Sequence, residues 1–194
     1  MSKNICIIQG HPHDDPAHFC RALSSAYEEG AREAGHGIEA IDLGRIEFPL
    51  LRDPADFPAE PPSVIREAQR KVKGAEHVFI IYPLWLGTMP AVVKGFFEQL
   101  SRNEFALAEN EDGGWPRKML KGKSARVVVT MGMPSAAYKI FFGAHGVKSF
   151  ESGVLGMAGF KPIRDTLIGG VGGLNDRQSE KHLANMRALG ARGE

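Results

Sequence analysis

Two different spacings of apolar residues alternate along the chain and predict two kinds of element. Short runs of consecutive apolar residues, such as 5–8, are typical of strands that are covered on both faces. Apolar residues three and four positions apart, such as Phe19, Leu23 and Ala26, are typical of a helix that buries one face. The pattern predicts strands at 5–8, 38–43, 78–82, 125–130 and 163–168, and helices at 16–34, 63–73, 90–101, 147–159 and 175–190.

Each predicted strand is followed by a predicted helix, and this repeated order indicates a parallel sheet with helices on both faces. We therefore expect an α/β fold, a three-layer αβα sandwich with five parallel strands in the flavodoxin-like order 2-1-3-4-5, with the Rossmann order as the second choice. The length of 194 residues, 43% of them apolar, fits a single domain over residues 1–194. Residues 102–123 are predicted to be an insertion, and residues 131–146 a loop.

Charge and composition exclude several classes of partner. The chain has 24 basic and 23 acidic residues, so no nucleic-acid partner is expected. No apolar run approaches the roughly 20 residues that span a bilayer, so we expect a protein that is not embedded in a membrane. The sequence shows no signal peptide, and Cys6 and Cys20 do not form a disulfide framework. A cytoplasmic location is therefore expected.

The loop after the first predicted strand has the features of an anion site. Asp15 is the predicted N-cap of the following helix, and Pro16 is its predicted first residue. Free backbone N–H groups at such a helix start bind phosphate well. We expect the backbone of residues 17–19 to hold a phosphate, together with the side chain of His11 or His18.

The same loop has a second interpretation as a zinc site. His11, His13, Asp14 and His18 lie close together in sequence and carry ligand atoms that zinc prefers. The segment is similar to the H-x-H-x-D-H motif of metallo-β-lactamases, but Pro16 takes the place of the last histidine. A zinc-dependent hydrolase or deacetylase that uses this loop stays open as an alternative, although we predict no metal site.

A second loop with an unusual composition follows the third predicted strand. Trp85 lies in it between Pro83 and Pro90, and Pro90 begins the next helix, where a missing N–H costs nothing. Ligands of open α/β sheets bind at the carboxyl ends of the strands. An apolar, aromatic loop at this place indicates a flat, aromatic ligand.

Residues 82–100 resemble the P-L-W-x-G-x-P-A-x-x-K-G-F-F loop of flavin-dependent NAD(P)H:quinone oxidoreductases, a flavodoxin-like family. The G-H-P and F-C-x-A-L motifs within residues 10–23 are similar to the family's phosphate loop. The resemblance implies that one group of residues packs on the flavin ring and that another holds the flavin phosphate. The first group is Pro83, Leu84, Trp85 and Leu86, and the second is His11, His18, Phe19 and Cys20.

A third match to the family begins at the end of the fourth predicted strand. Residues 130–133, with Tyr138 and His145, resemble the family's T-T-G-G…Y…H loop, but Met133 replaces the second glycine. The segment from Tyr138 to His145 is also one residue longer than in the animal enzymes. The resemblance implies that Tyr138 and His145 are catalytic. It also implies that the flavin edge is covered by Thr130, Met131, Gly132 and Met133.

The resemblance implies a function as well as a site. A protein of this family takes hydride from NAD(P)H onto a flavin, FAD or FMN, and passes it to a quinone or a similar electrophile in a ping-pong reaction. Relatives are homodimers, so we expect a homodimer here, with residues 96–97 and 138–142 as candidate dimer surfaces. Some relatives instead regulate potassium-efflux systems, and that non-enzymatic role is a further alternative.

Overall fold

A parallel sheet of five strands forms the centre of the protein in a computed structural model that describes residues 2–194. The strands are β1 (Asn4–Gln9), β2 (Gly37–Asp42), β3 (His77–Pro83), β4 (Leu107–Ala108), β5 (Arg117–Lys118), β6 (Ser124–Thr130) and β7 (Ile163–Ile168). The sheet order is β2-β1-β3-β6-β7, which confirms the flavodoxin-like order, and β4 and β5 form a separate antiparallel pair. All four strand pairings in the main sheet are parallel.

Helices cover both faces of the sheet. They are α1 (Phe19–Glu33), α2 (Ser63–Gly74), α3 (Ala91–Leu100), α4 (Ser135–Phe141), α5 (His145–Phe150) and α6 (Asp176–Arg192), with a π-helical turn at Glu151–Gly156 and 3₁₀ turns at Pro54–Asp56 and Val171–Gly173. Helices α1 and α6 pack on one face, and α2, α3 and α5 pack on the other. Within residues 2–194, none of the helices combines the length and the apolar character that crossing a bilayer requires.

Alternate residues of β1 point into the two layers of the core. Ile5 and Ile7 pack with α1 and α6, whereas Cys6 and Ile8 pack with the other layer, and all four side chains are buried. Burial on both faces explains why this strand is a continuous apolar run. On the first face, α1 and α6 lie close together because Gly190 has no side chain. A Cβ at this position would lie only 2.0 Å from the Tyr27 carbonyl oxygen.

The predicted start of the first helix is wrong by three residues. Helix α1 begins at Phe19, and its N-cap is His18, which makes no side-chain capping bond. Asp15 does not cap the helix, because its Oδ1 accepts a hydrogen bond of 2.8 Å from the Ala17 N–H and forms a separate turn. The helix therefore starts closer to the buried Cys20 than predicted.

Two other segments differ from the prediction. The region 131–146 is not only a loop, since α4 occupies Ser135–Phe141 within it. The predicted helix at 147–159 is divided into α5, which begins at His145, and the π-helical turn at Glu151–Gly156. Helix α4 has only seven residues, which is too short for a repeated apolar spacing to be recognised in the sequence.

Candidate functional site

Three loops meet at the carboxyl ends of β1, β3 and β6. The Gly10 N–H donates to the Ile81 carbonyl oxygen at 2.7 Å, and the Leu84 N–H donates to the Thr130 carbonyl oxygen at 2.7 Å. A Cβ at Gly10 would lie 2.9 Å from the oxygen of Ile81, so only glycine permits this approach. The structure thus brings together the three segments that the sequence singled out.

The middle loop presents a tight turn to solvent. Residues Trp85 and Thr88 exchange backbone hydrogen bonds of 2.8 and 3.1 Å. Leu86 and Gly87 between them have φ values of 49° and 83°, as in a type I′ turn. Trp85 is 50% exposed and Leu86 is fully exposed, whereas Leu84 packs against the core. The turn therefore offers apolar surface that no other part of the described chain covers.

Tyr138 supports this turn from below. Its side chain is fully buried, and its hydroxyl donates to the Gly87 carbonyl oxygen at 2.8 Å. Burial raises the pKa of the Tyr138 phenol, and the nearby Val147 and Gly146 backbone groups lower it in part. The hydroxyl that the resemblance assigned to catalysis is thus engaged in holding the turn.

His145 has a different setting. It is the first residue of α5, its side chain is exposed, and its ring makes no hydrogen bond to any of residues 2–194. The imidazole lies against Gly143, where a Cβ would come within 2.6 Å of its Nε2. His145 is therefore exposed to solvent, whereas the Tyr138 hydroxyl is bonded to the turn.

The first loop holds free donors at the start of α1. The N–H groups of Ala17 and His18 are bonded to Asp15, but those of Phe19 and Cys20 have no partner among residues 2–194. Unpaired N–H groups at a helix start favour an anion, because they add to the positive end of the helix dipole. The free donors belong to Phe19 and Cys20 rather than to residues 17–19 as a whole, because the helix starts late.

Two histidines flank these donors. The rings of His11 and His18 are stacked with their centroids 3.8 Å apart. His11 is buried, and burial lowers its pKa, as do the nearby His18 and Arg21. The lowered pKa disfavours a positively charged His11 ring at this buried position.

A buried polar link joins the first and third loops. The Cys20 thiol lies 3.0 Å from the Thr130 hydroxyl, and Gln9 bonds both the Cys20 carbonyl oxygen at 3.2 Å and the His11 N–H at 3.1 Å. Sequence reasoning missed Gln9, although a polar residue that ends an apolar strand is a usable signal. These bonds hold the helix start next to the end of β6.

The third loop has two backbone N–H groups without a partner among residues 2–194. The Met131 N–H donates to the Ile168 carbonyl oxygen at 2.9 Å, and the Met131 side chain is buried. Met131 therefore supports the loop from the core. The prediction that it faces the site is wrong, because its side chain points into the core. The N–H groups of Gly132 and Met133 have no partner among residues 2–194, and Gly132 is exposed.

The metal ligands suggested by the sequence are only partly brought together. Ligand atoms of His13, Asp15 and His18 lie within 4.8 Å of one another, and His13 Nδ1 is 3.0 Å from His18 Nε2. Neither Asp14 nor His11 belongs to this group, and Asp14 lies 3.8 Å from Arg45 instead. A helix start disfavours a cation, so the electrostatics of this loop favour an anion.

Fold and loops together define an α/β protein with a flavodoxin-type sheet and a candidate ligand site at the carboxyl edge of that sheet. The sequence profile of the Flavodoxin_2 family, which is described as a flavodoxin-like fold, matches residues 3–189. The chain belongs to this family.

Individual relatives agree with that assignment. The chain is 28% identical over 190 residues to NAD(P)H dehydrogenase (quinone) 1 of Cavia porcellus, and the match covers 82% of the chain and 66% of that protein. The chain thus spans just under two thirds of this relative's length. The structure of an NAD(P)H:quinone oxidoreductase from Methanothermobacter marburgensis superposes with a TM-score of 0.79 at 26% identity and covers 100% of both chains.

A more distant structure shares the fold. An FMN-dependent NADH-azoreductase from Bacillus anthracis, solved in complex with FMN, has a TM-score of 0.76 at 16% identity, with 99% of both chains covered.

Proposed function

We propose that the protein is a flavin-dependent NAD(P)H:quinone oxidoreductase, which passes hydride from NAD(P)H through a bound flavin to a quinone or a similar electrophile. The observation that carries the proposal is the combination of an exposed Trp85 turn with two pairs of free N–H donors at one edge of the sheet. The Phe19 and Cys20 N–H groups suit a phosphate, and the Gly132 and Met133 N–H groups suit the polar edge of a ring. The names of the relatives support the same chemistry.

The start of α1 would hold the flavin phosphate. The Phe19 and Cys20 N–H groups supply two donors, and the half-buried His18 lies at the N-cap beside them. His11 stacks on His18 and fixes the plane of its ring. The link between Cys20 and Thr130 keeps this cradle at a constant distance from the third loop.

The second and third loops would hold the flavin ring, which supplies the hydride chemistry when bound. Trp85 and Leu86 would cover one part of it by apolar contact and exclude water. The Gly132 and Met133 N–H groups would donate to its polar edge and stabilise the negative charge that hydride arrival places there. His145, which is exposed, would supply a proton to the reduced acceptor.

The proposal extends to the order of reaction and the assembly. Because donor and acceptor would use one space beside the Trp85 turn, the kinetics should be ping-pong. Ile140, Phe141 and Phe142 form an exposed apolar patch on and after α4, and such a patch on a small protein supports a homodimer. Sedimentation at micromolar concentration tests the dimer, and a monomer would contradict it.

The decisive experiment is flavin binding by the purified protein, with zinc measured in the same sample. Titration with FMN and with FAD should give one flavin per chain, and NADH or NADPH should bleach its absorbance. Trp85→Ala should weaken flavin binding, whereas Trp115→Ala, which changes the other exposed tryptophan, should not. A colourless protein with stoichiometric zinc would overturn the proposal in favour of the cluster of His13, Asp15 and His18.

A further inference from the structure

A polar cavity lies at the edge of the sheet opposite to the three loops. Its volume is about 210 Å³, and it is found where β3, β6 and β7 begin. Its polar lining residues are Lys3, His77, Ser124, Arg126, Arg164 and Glu194. The proposed flavin site uses none of these residues.

Two buried nitrogens at this cavity lack partners. His77 is 2% exposed and Arg126 is 7% exposed, yet neither His77 Nε2 nor Arg126 Nε has a hydrogen-bond partner among residues 2–194. An unpaired buried polar group is costly because it has lost its bonds to water, and such groups mark places where a water or an ion binds. Two of them beside one cavity point to a ligand that accepts hydrogen bonds.

The other bonds of these side chains show what the free atoms offer. Arg126 Nη1 donates to Thr166 at 2.9 Å, which leaves its Nε–H as a donor. His77 Nδ1 lies 2.8 Å from the Ser124 hydroxyl. If that hydroxyl donates to Nδ1, the proton of the neutral ring lies on Nε2, which is then a second donor.

The side chains around the cavity carry more positive than negative charge. Lys3, Arg126 and Arg164 carry three positive charges there, and the Glu194 side chain is the acidic side chain of the lining. Glu194 Oε2 lies 3.3 Å from Arg164 Nη1 and 3.9 Å from Arg126 Nη2. The second distance is too long for a strong bond, so the carboxylate only partly satisfies the two guanidinium groups.

We propose that this cavity binds a small tetrahedral oxyanion, either inorganic phosphate or the phosphate group of a small phosphate ester. Arg126, Arg164 and Lys3 would provide the charge, and neutral His77 would donate one further hydrogen bond. The Glu194 carboxylate competes with the anion for Arg164, so it must move aside when the anion binds. The site is independent of the flavin site at the other edge of the sheet.

The test is calorimetric titration with inorganic phosphate on protein already saturated with flavin, so that the cradle at α1 is occupied. One phosphate per chain should bind saturably. Arg164→Gln should weaken binding about tenfold, because a charge-assisted hydrogen bond is lost. Arg32→Gln, which removes a similarly exposed arginine from an ion pair on α1, should not weaken phosphate binding. Glu194→Gln should strengthen binding, since it removes the competing carboxylate.

Three outcomes would overturn the proposal. They are the absence of saturable phosphate binding, an equal loss of phosphate affinity in Arg164→Gln and Arg32→Gln, and a Glu194→Gln variant that binds phosphate no more tightly than the wild-type protein. If the protein takes up no flavin, the titration is repeated on His18→Ala, so that failure of the flavin proposal does not decide this one. If glycerol phosphate binds about as tightly as inorganic phosphate, the cavity accepts phosphate esters. If only inorganic phosphate binds, the ligand of the cavity is the free ion.

Discussion

The Tyr138 hydroxyl donates a hydrogen bond of 2.8 Å to the Gly87 carbonyl oxygen. This bond joins α4 to the turn that carries Trp85, across 51 residues of sequence. The Tyr138 side chain is fully buried, and its hydroxyl is directed at the backbone of the turn. We therefore regard Tyr138 as a residue that positions the Trp85 turn.

Replacing Tyr138 with phenylalanine should loosen the turn and weaken flavin binding. The loss of one buried hydrogen bond costs about 1 kcal/mol, which corresponds to an increase of roughly fivefold in the flavin Kd. The pH profile of kcat should not change. Fluorescence titration with flavin and steady-state kinetics across pH measure the two effects.

The matched control is Tyr82→Phe. Tyr82 is also fully buried, but its hydroxyl has no partner among residues 2–194, so its removal should leave flavin affinity unchanged. A Tyr138→Phe variant that binds flavin normally but has a lower kcat and a shifted pH profile would show that the hydroxyl acts in the chemistry.

The Trp85 turn also depends on the backbone of Gly87. Its φ of 83° is unfavourable for a residue with a side chain, although nothing lies within 4 Å of a Cβ built there. Gly87→Ala should therefore lower the free energy of unfolding by about 1–2 kcal/mol through backbone strain alone. Gly74→Ala, at the end of α2, also has open space around its Cβ but no left-handed φ, and it should not destabilise the protein. Equal losses in urea unfolding of the two variants would contradict this explanation.

The sequence predicted most of the fold because its apolar periods are set by burial in a layered core. All five sheet strands and their order followed from runs such as that of β1, which is buried on both faces. The start of α1 was misplaced because Asp15 has the chemistry of an N-cap but uses it in a separate turn. Local propensity does not distinguish these two uses of an aspartate.

The site was predictable in its location but not in its details. Three loops at one sheet edge follow from strand order, and Trp85 is exposed there as its setting between prolines indicated. The burial of Tyr138 and Met131 did not follow, because it depends on contacts with Gly87 and Ile168 that are remote in sequence. The cavity around Arg126 also could not be predicted from the sequence, because the starts of three strands that are far apart in sequence form it.

Both cysteines should be unreactive in the folded protein. Burial raises the pKa of the Cys6 thiol to about 12 and that of the Cys20 thiol to about 11. The reactive thiolate is therefore scarce at pH 8 in the folded state. A thiol-disulfide reagent should modify neither cysteine in native buffer and both in denaturant. Rapid modification of the native protein would show that the core around α1 or β1 opens easily.

His77 should make stability fall as the solution is acidified. Burial, with the nearby positive charges of Lys3 and Arg126, lowers its pKa from 6.5 to about 3, while Arg164 acts in the same direction and Glu194 opposes it. Between these two pKa values the unfolded chain binds a proton that the folded protein excludes. The free energy of unfolding contributed by His77 is therefore retained above pH 6.5 and lost as pH falls toward 3, with a slope that approaches about 1.4 kcal/mol per pH unit.

His77→Gln should remove this part of the acid dependence. Carboxyl groups also contribute to acid unfolding, so the quantity that isolates His77 is the difference in slope between the wild-type protein and the variant. Urea unfolding from pH 7 to pH 4, in buffers without phosphate, should show a gap between the two proteins that narrows with acidification. Parallel curves over this range would mean that His77 takes up its proton in the folded state, and thus that water or an anion already reaches its ring.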